Sequence, residues 1–278
     1  MGEAEAYEGK EEYMPLISVI MGVHNSNEDM LKKAVESVLA QTEKDLELII
    51  CDDGSDEATK KTLKAVEESD SRIKIITSPE NEGLACALNR CIAIASGKYI
   101  ARQDDDDYSH ATRFETQVAF LDANPDIAFI GTDCELFDSS GKVYGERRMP
   151  QEIDKNSFLY NSPFIHGSMM FRKEVFSGNQ YRTIGKLRRY EDYDLFMTLT
   201  AKGYKSANIP KKLYSFYFEP AKRKISFKSR RDEFKVRMEG FKKLGLMPKG
   251  FFYALKPIIL GLIPHKLFLK IKAKHGGM

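Results

Sequence analysis

The chain has no tryptophan, only four cysteines, and no stretch of eighteen uninterrupted apolar residues. Each shortage excludes something. Cys51, Cys86, Cys91 and Cys134 lack the paired spacing of a zinc site. With no apolar run of spanning length, no transmembrane helix is expected. The first residues carry no signal-peptide pattern. Cys51 closes an apolar run and Cys86 and Cys91 fall on an expected helix, so buried thiols in a reducing, cytoplasmic compartment are expected. The glycine-rich loops of dinucleotide-binding and P-loop proteins are both missing. No internal repeat and no low-complexity linker is present.

What remains is 278 residues with 42% apolar content, enough for one large domain or two small ones. Net charge is +2, but unevenly spread. Residues 1–12 hold five Glu and one Lys, whereas residues 221–278 hold sixteen Lys or Arg against three acidic residues. Such asymmetry points to a tail that meets an anionic partner.

The most informative stretch is Arg102-Gln103-Asp104-Asp105-Asp106-Asp107-Tyr108, which follows the apolar Tyr99-Ile100-Ala101. Carboxylates so close repel one another and call for an opposing charge. Mg²⁺ or Mn²⁺ is the usual answer, because such ions share oxygen ligands with substrate phosphates. A solvated acidic loop is the plain alternative. Ligands of open α/β sheets bind at the carboxyl ends of strands, where this run is expected to lie.

Residues 16–21 and 46–51 read as strands buried on both faces, and 73–76 as a third. Helical spacing follows each, with Ser26 or Asn27 available as the first cap and Asn81-Glu82-Gly83 opening the third helix. Strand and helix alternate three times, the pattern of βαβ units and a parallel sheet. After residue 125 the alternation fails, so a mixed second half is expected: a strand at 127–131, a hairpin turn at 138–141, strands at 166–171 and 213–218, and a helix at 193–202. Polar residues crown several strand ends: Val23-His24-Asn25, Asp52-Asp53 and the aspartate run. A carboxylate there can accept a hydrogen bond from a base N–H, as uracil offers.

In this order the segments resemble family 2 glycosyltransferases of the GT-A fold, the group that builds bacterial surface polysaccharides. The resemblance covers roughly residues 15–205. It rests on the opening strand with His24-Asn25, Cys51-Asp52-Asp53-Gly54-Ser55-Asp56, Asn81-Glu82-Gly83-Leu84 with Asn89, Gly97 to Arg102 leading into an Asp-x-Asp motif, Arg113-Phe114-Glu115-Thr116-Gln117, and Tyr190-Glu191-Asp192-Tyr193-Asp194-Leu195. It implies an α/β fold with a Rossmann-like, mainly parallel mixed sheet. It also implies an inverting transfer of a sugar from a nucleotide-diphosphate donor, UDP first, to a glycan or lipid-linked acceptor, with Mn²⁺ or Mg²⁺. Carried over, Asp192 is the general base. Asp104 and Asp106 are the carboxylates of Asp-x-Asp, one on the ribose and one on the metal. Four consecutive aspartates leave that register open by one position, and Asp105 or Asp107 can share the role. Val23, His24, Asn25, Asp52, Asp53, Gly83, Asn89, Arg102, Asp104, Asp105, His166 and Glu191 are the implied substrate-binding set. Arg113 is read as a helix-surface residue rather than a diphosphate contact.

Two departures stand out. Relatives place Arg and His near the phosphates in the strand after the base helix, but here that segment reads Tyr214-Ser215-Phe216-Tyr217-Phe218-Glu219. The Gln-x-x-Arg-Trp motif of processive synthases is absent, so single addition is expected. Residues 1–14 are read as an acidic extension, 15–220 as the catalytic domain and 221–278 as a basic helical tail. Phe251, Phe252, Leu255, Ile258, Ile259 and Leu262, beside Lys266, Lys270, Lys272 and Lys274, form the apolar and cationic faces of an interfacial helix. The tail is therefore expected on an anionic membrane at the inner face, and not on nucleic acid, which calls for aromatic stacking groups among polar ones. A sugar-phosphate nucleotidyltransferase is the other enzyme class considered, but the loop after the first strand lacks its glycine- and Arg/Lys-rich character.

Overall fold

The computed structural model describes residues 14–183, 189–219 and 226–262. In chain order the first half contains β1 (Ile17–Val23), α1 (Glu28–Leu39), β2 (Leu46–Asp53), α2 (Glu57–Ser69), β3 (Ile73–Ser78), α3 (Leu84–Ile94) and β4 (Tyr99–Arg102). Asn27 caps α1 by accepting from Met30 N at 3.1 Å, and Asp56 caps α2 by accepting from Thr59 N at 2.9 Å. Each satisfies an amide that the helix itself cannot pair.

The second half adds β5 (Tyr108–Ser109), α4 (Arg113–Ala123), β6 (Ile127–Phe137), β7 (Val143–Arg147), β8 (Met170–Arg172), α5 (Glu191–Ala201), β9 (Lys205–Tyr217), α6 (Phe227–Lys243), α7 (Lys249–Ala254) and α8 (Lys256–Leu262). One sheet runs β3-β2-β1-β4-β8-β6-β9-β5, with β7 on β6. β1 lies parallel to β2 and β4, β2 to β3, and β6 to β9; β8 enters antiparallel between β4 and β6. The parallel first half and mixed second half thus follow the expected pattern.

Alternation along the strands separates two apolar layers. Val19, Met21, Leu48 and Ile50 face α1, α2 and α4. Ile20, Ile49, Ile100 and Phe129 face α3, α5 and α6. Three expectations shift. His166–Ser168 forms a 3₁₀ turn and only Met170–Arg172 is strand, because Ser168 Oγ bonds back to Ile165 O at 2.9 Å. The late strand begins at Lys205, where pairing with β6 extends it. The helix expected from 193 starts at Glu191.

The basic segment after residue 225 begins inside the fold. Val236, Phe241, Leu244, Leu246 and Ala254 join the α3/α5 layer. Their apolar face was hidden by the lysines and arginines between them. Among the described residues no helix is long and apolar enough to cross a membrane. Lys266, Lys270, Lys272 and Lys274 lie outside the described residues, as does nearly all of the acidic extension.

Candidate active site

The carboxyl ends of β1, β2 and β4 form one edge. Val23 sits in register with Asp52, and Gln103 N donates to Ile20 O at 3.1 Å, which brings the aspartate run beside β1. The turns after β1 and β2 are laced together. His24 Nδ1 lies 3.0 Å from Asp53 O, a carbonyl that can only accept, so Nδ1 carries the proton. Asn25 takes a positive φ of 50° and accepts from Asp56 N at 2.8 Å, while its own N–H donates to Ser55 Oγ at 3.2 Å. Asp52 Oδ1 accepts from Ser55 N at 2.9 Å. Asp53 uses both oxygens on the loop before α3, accepting from Glu82 N at 2.9 Å and from Gly83 N at 2.7 Å. Gly83 has φ 99°, a conformation open to glycine. A cleft of about 220 Å³ results, lined by Val23, His24, Asp53, Gly83 and the start of α3.

Asn89 belongs elsewhere. Its amide clasps the backbone of Tyr181, donating to Tyr181 O at 2.8 Å and accepting from Tyr181 N at 3.0 Å. It lines a larger cavity, about 690 Å³, with Leu16, Lys98 and Phe176. That cavity opens at the opposite edge, where strands begin, and holds neither the aspartate run nor Glu191-Asp192. The smaller cleft is the one lined by residues expected at the site, Val23, His24, Asp53 and Gly83.

Gln103 shapes the aspartate run. Wholly buried, its Nε2 donates to Asp104 O at 3.0 Å and Asp107 O at 2.8 Å, while its Oε1 accepts from Ser109 Oγ at 2.7 Å. Arg113 backs it, and here the surface reading fails. Arg113 is fully buried and donates to Gln103 Oε1, Ser109 Oγ, Gln117 Oε1 and the carbonyl of Arg102. Burial lowers its pKa to about 10. Arg113 thus braces the turn from beneath, its donors directed to groups of the fold itself.

The four aspartates divide. Asp107 is fully buried and accepts from Tyr217 N at 2.6 Å. Burial and the neighbouring Asp106 push its carboxyl well up. Burial also raises Asp105, against a hydrogen bond with Ser26. Asp104 pairs with Arg102. Asp104, Asp105 and Asp106 remain partly exposed. Among the described residues no group of three His, Cys, Asp or Glu side chains could enclose a metal. This donor set suits Mg²⁺ or Mn²⁺ that takes one or two carboxylates and fills its shell from phosphate and water, rather than an all-protein cage. The strand that lacks Arg and His serves the turn differently. Tyr214 accepts from Asp104 N at 3.2 Å, and the Tyr217 amide holds Asp107.

The remaining expected carboxylates, Glu191 and Asp192, sit in the first turn of α5. Tyr190, its N-cap, is held at φ 69°, a left-handed conformation that a bulky residue adopts at a cost. Glu191 is 8% exposed, and burial followed by the adjacent Asp192 raises it to about 7, against the charge of Arg102. Asp192 stays partly exposed. Asp194 is buried and ion-paired with Arg182 at 2.9 Å. His166 Nε2 lies 2.8 Å from Tyr181 OH, and burial, then Arg102, lowers its pKa well below the ordinary value, so the ring is neutral. Arg102, itself buried, pairs with Asp104, and its charge favours the ionised forms of Asp105, Asp107 and Glu191 and the neutral form of His166. Sequence reasoning passed over Gln103, Tyr181 and Tyr214. Gln103 had a signal, being an amide between a buried strand and a charge run; Tyr181 had none.

Residues 18–178 match the family model described as Glycosyl transferase family 2, and the chain belongs to that family. EpsE of Bacillus subtilis (strain 168) is 36% identical over 254 residues, covering 90% of each chain. The Escherichia coli protein WfgD, named as a UDP-Glc:alpha-D-GlcNAc-diphosphoundecaprenol beta-1,3-glucosyltransferase, is 32% identical over 66% of this chain and 69% of its own. The S. aureus TarS fragment 1–349 in complex with UDP superposes with a TM-score of 0.63 at 18% identity, over 82% of this chain and 64% of that one, so this chain spans somewhat less than two thirds of that fragment. The mannosyltransferase PcManGT of Pyrobaculum calidifontis, in complex with GDP-Man and Mn²⁺, gives 0.60 at 16% identity, over 94% and 80%. The fold is GT-A, and the protein is a glycosyltransferase.

Proposed function

We propose that the protein is a metal-dependent, inverting transferase in cell-surface polysaccharide synthesis. It moves a sugar from a nucleotide-diphosphate donor, UDP first, to a hydroxyl of a glycan or lipid-linked acceptor. The observation that carries this reading is the aspartate run at the end of β4, where Asp104 pairs with the buried Arg102, whose charge also reaches Glu191 at the start of α5. Donor chemistry is supported by relatives whose names or complexes include UDP-Glc, UDP and GDP-Man.

In this reading the nucleoside enters the cleft of Val23, His24, Asp52, Asp53 and Gly83. Asp104 takes the ribose side, and Asp106 with Asp104 would hold Mn²⁺ or Mg²⁺. When bound, the cation supplies charge neutralisation for the diphosphate. Asp192 accepts the proton of the acceptor hydroxyl as that oxygen bonds to the anomeric carbon and the carbon–diphosphate bond breaks on the far side. In-line displacement inverts the carbon and needs no covalent enzyme intermediate. Glu191, nearly shielded from water and raised to about 7, is still partly protonated at neutral pH and in that form can donate a hydrogen bond to the acceptor. Neutral His166 and Arg102 border the same space.

The C-terminal helices fit attachment to an anionic membrane surface at the inner face. Phe252 and Leu262 are each 71% exposed, and the residues that follow Leu262 in sequence include Lys266, Lys270, Lys272 and Lys274. Incubation with a panel of nucleotide sugars and Mn²⁺ tests the proposal. Release of UDP from at least one UDP-sugar is expected; no nucleotide release from any donor would overturn it.

A further inference from the structure

We propose that Arg237, on α6, is a positioning residue for the transfer, locking the first turn of α5 to the 158–166 segment that ends on His166. The inference rests on the reading of Asp192 as base. Arg237 is 2% exposed, yet almost its whole donor set is used. Nε donates to Glu233 Oε1 at 2.9 Å, Nη1 to Leu159 O at 3.1 Å and Nη2 to Tyr160 O at 3.1 Å. Nη1 also lies 3.5 Å from Tyr193 OH, and the guanidinium stacks over the Tyr193 ring at 5.2 Å.

Tyr193 directly follows Asp192, and its hydroxyl donates to Phe158 O. Three consecutive carbonyls, at 158, 159 and 160, are therefore held by side chains from α5 and α6. Lys256 on α8 adds a second bond to Tyr160 O at 3.0 Å. A buried ion pair seldom adds stability over an apolar group of the same volume. A planar fork with five fixed donors instead fixes directions, and that is what this one joins: the base helix and the chain leading to His166. Small displacements of such groups lower rate without lowering donor affinity.

The test uses the full chain, with UDP release from its best UDP-sugar to water and UDP·Mn²⁺ affinity by calorimetry. Arg237→Met should keep UDP affinity within about 2-fold and lose roughly 10-fold or more in turnover. Combined with Asp192→Asn it should be no slower than Asp192→Asn alone, because Arg237 acts through that carboxylate. Wild-type turnover in Arg237→Met, or losses that multiply in the double variant, would overturn the positioning role. Should Arg237→Met fail to fold, Tyr193→Phe retains the ring and removes the hydroxyl, and the same non-additive loss is expected; unchanged or multiplying rates overturn the role equally. Full turnover in Asp192→Asn would instead remove the base reading itself, whatever Arg237→Met does.

Discussion

Glu191→Gln should stabilise the protein at alkaline pH while weakening it as an enzyme. Burial raises the Glu191 carboxyl from 4.5 to about 7, with Asp192 adding to the effect. The folded state then holds the proton more tightly than the unfolded chain. Stability is therefore lost as pH rises from 4.5 through 7, and the loss is complete above that. The scale is roughly 3 kcal/mol, an upper bound because the proton belongs to the Glu191–Asp192 pair rather than to one residue. Glutamine cannot ionise, so the variant escapes the penalty. For a chain this size the gain is on the order of 5–10 °C in Tm at pH 8, shrinking towards zero near pH 4.5. Glu191 Oε2 has no hydrogen-bond partner among the described residues, so the amide adds a pH-independent cost on the order of 1 kcal/mol, which lowers the gain at every pH equally. Thermal melts of both proteins at pH 4.5, 6 and 8 measure the difference directly. A difference that stays constant with pH, or a variant less stable at pH 8, would refute the assigned burial.

Other expectations follow from the same geometry. Asp104→Asn with Asp106→Asn should abolish the Mn²⁺-dependent part of UDP binding; calorimetric affinity unchanged in the double variant would contradict the cation assignment. Glu47 is buried, yet hydrogen bonds from Lys74, Ser18 and Ser96 outweigh that burial and hold it at about 2. Its contribution is present above pH 4.5 and lost as pH falls through 2, so Glu47→Gln should cost about 2 kcal/mol at pH 7, discounted for the exposed Lys74, and the gap should close in acid. Denaturant titrations at pH 7 and pH 2.5 give both values, and an equal gap at the two would exclude the ion network as its source. Phe252→Glu with Leu262→Glu should reduce co-sedimentation with anionic vesicles at unchanged Tm; undiminished co-sedimentation would speak against membrane docking.

Much of the first half could be read in advance because its strands are buried on both faces and therefore appear as nearly continuous apolar runs, from Ile17 to Val23 and from Leu46 to Cys51, broken by Ser18 and Glu47. The second half was harder. Its cohesion comes from contacts distant in sequence, such as Asn89 with Tyr181 and Asp104 with Tyr214, that no local pattern announces. Arg113 shows the limit most clearly. A charged residue in a helix's first turn reads as solvated, and only partners on β4, β5 and the loop before β8 make its burial possible. The role of Asp53 was half legible. Its position at a strand end was foreseen, but its two oxygens hold the α3 loop that walls the cleft. On α6 the apolar face was masked by its charges, so a segment of the core read as a tail.

The central claim is that Asp192 deprotonates an acceptor hydroxyl during transfer from a nucleotide sugar. The most direct measurement compares wild type with Asp192→Asn, using the UDP-sugar that gives the fastest UDP release, with Mn²⁺ and a saturating acceptor. The account predicts donor affinity within a few-fold and turnover lower by roughly 10²-fold or more; near-wild-type turnover in Asp192→Asn would contradict it.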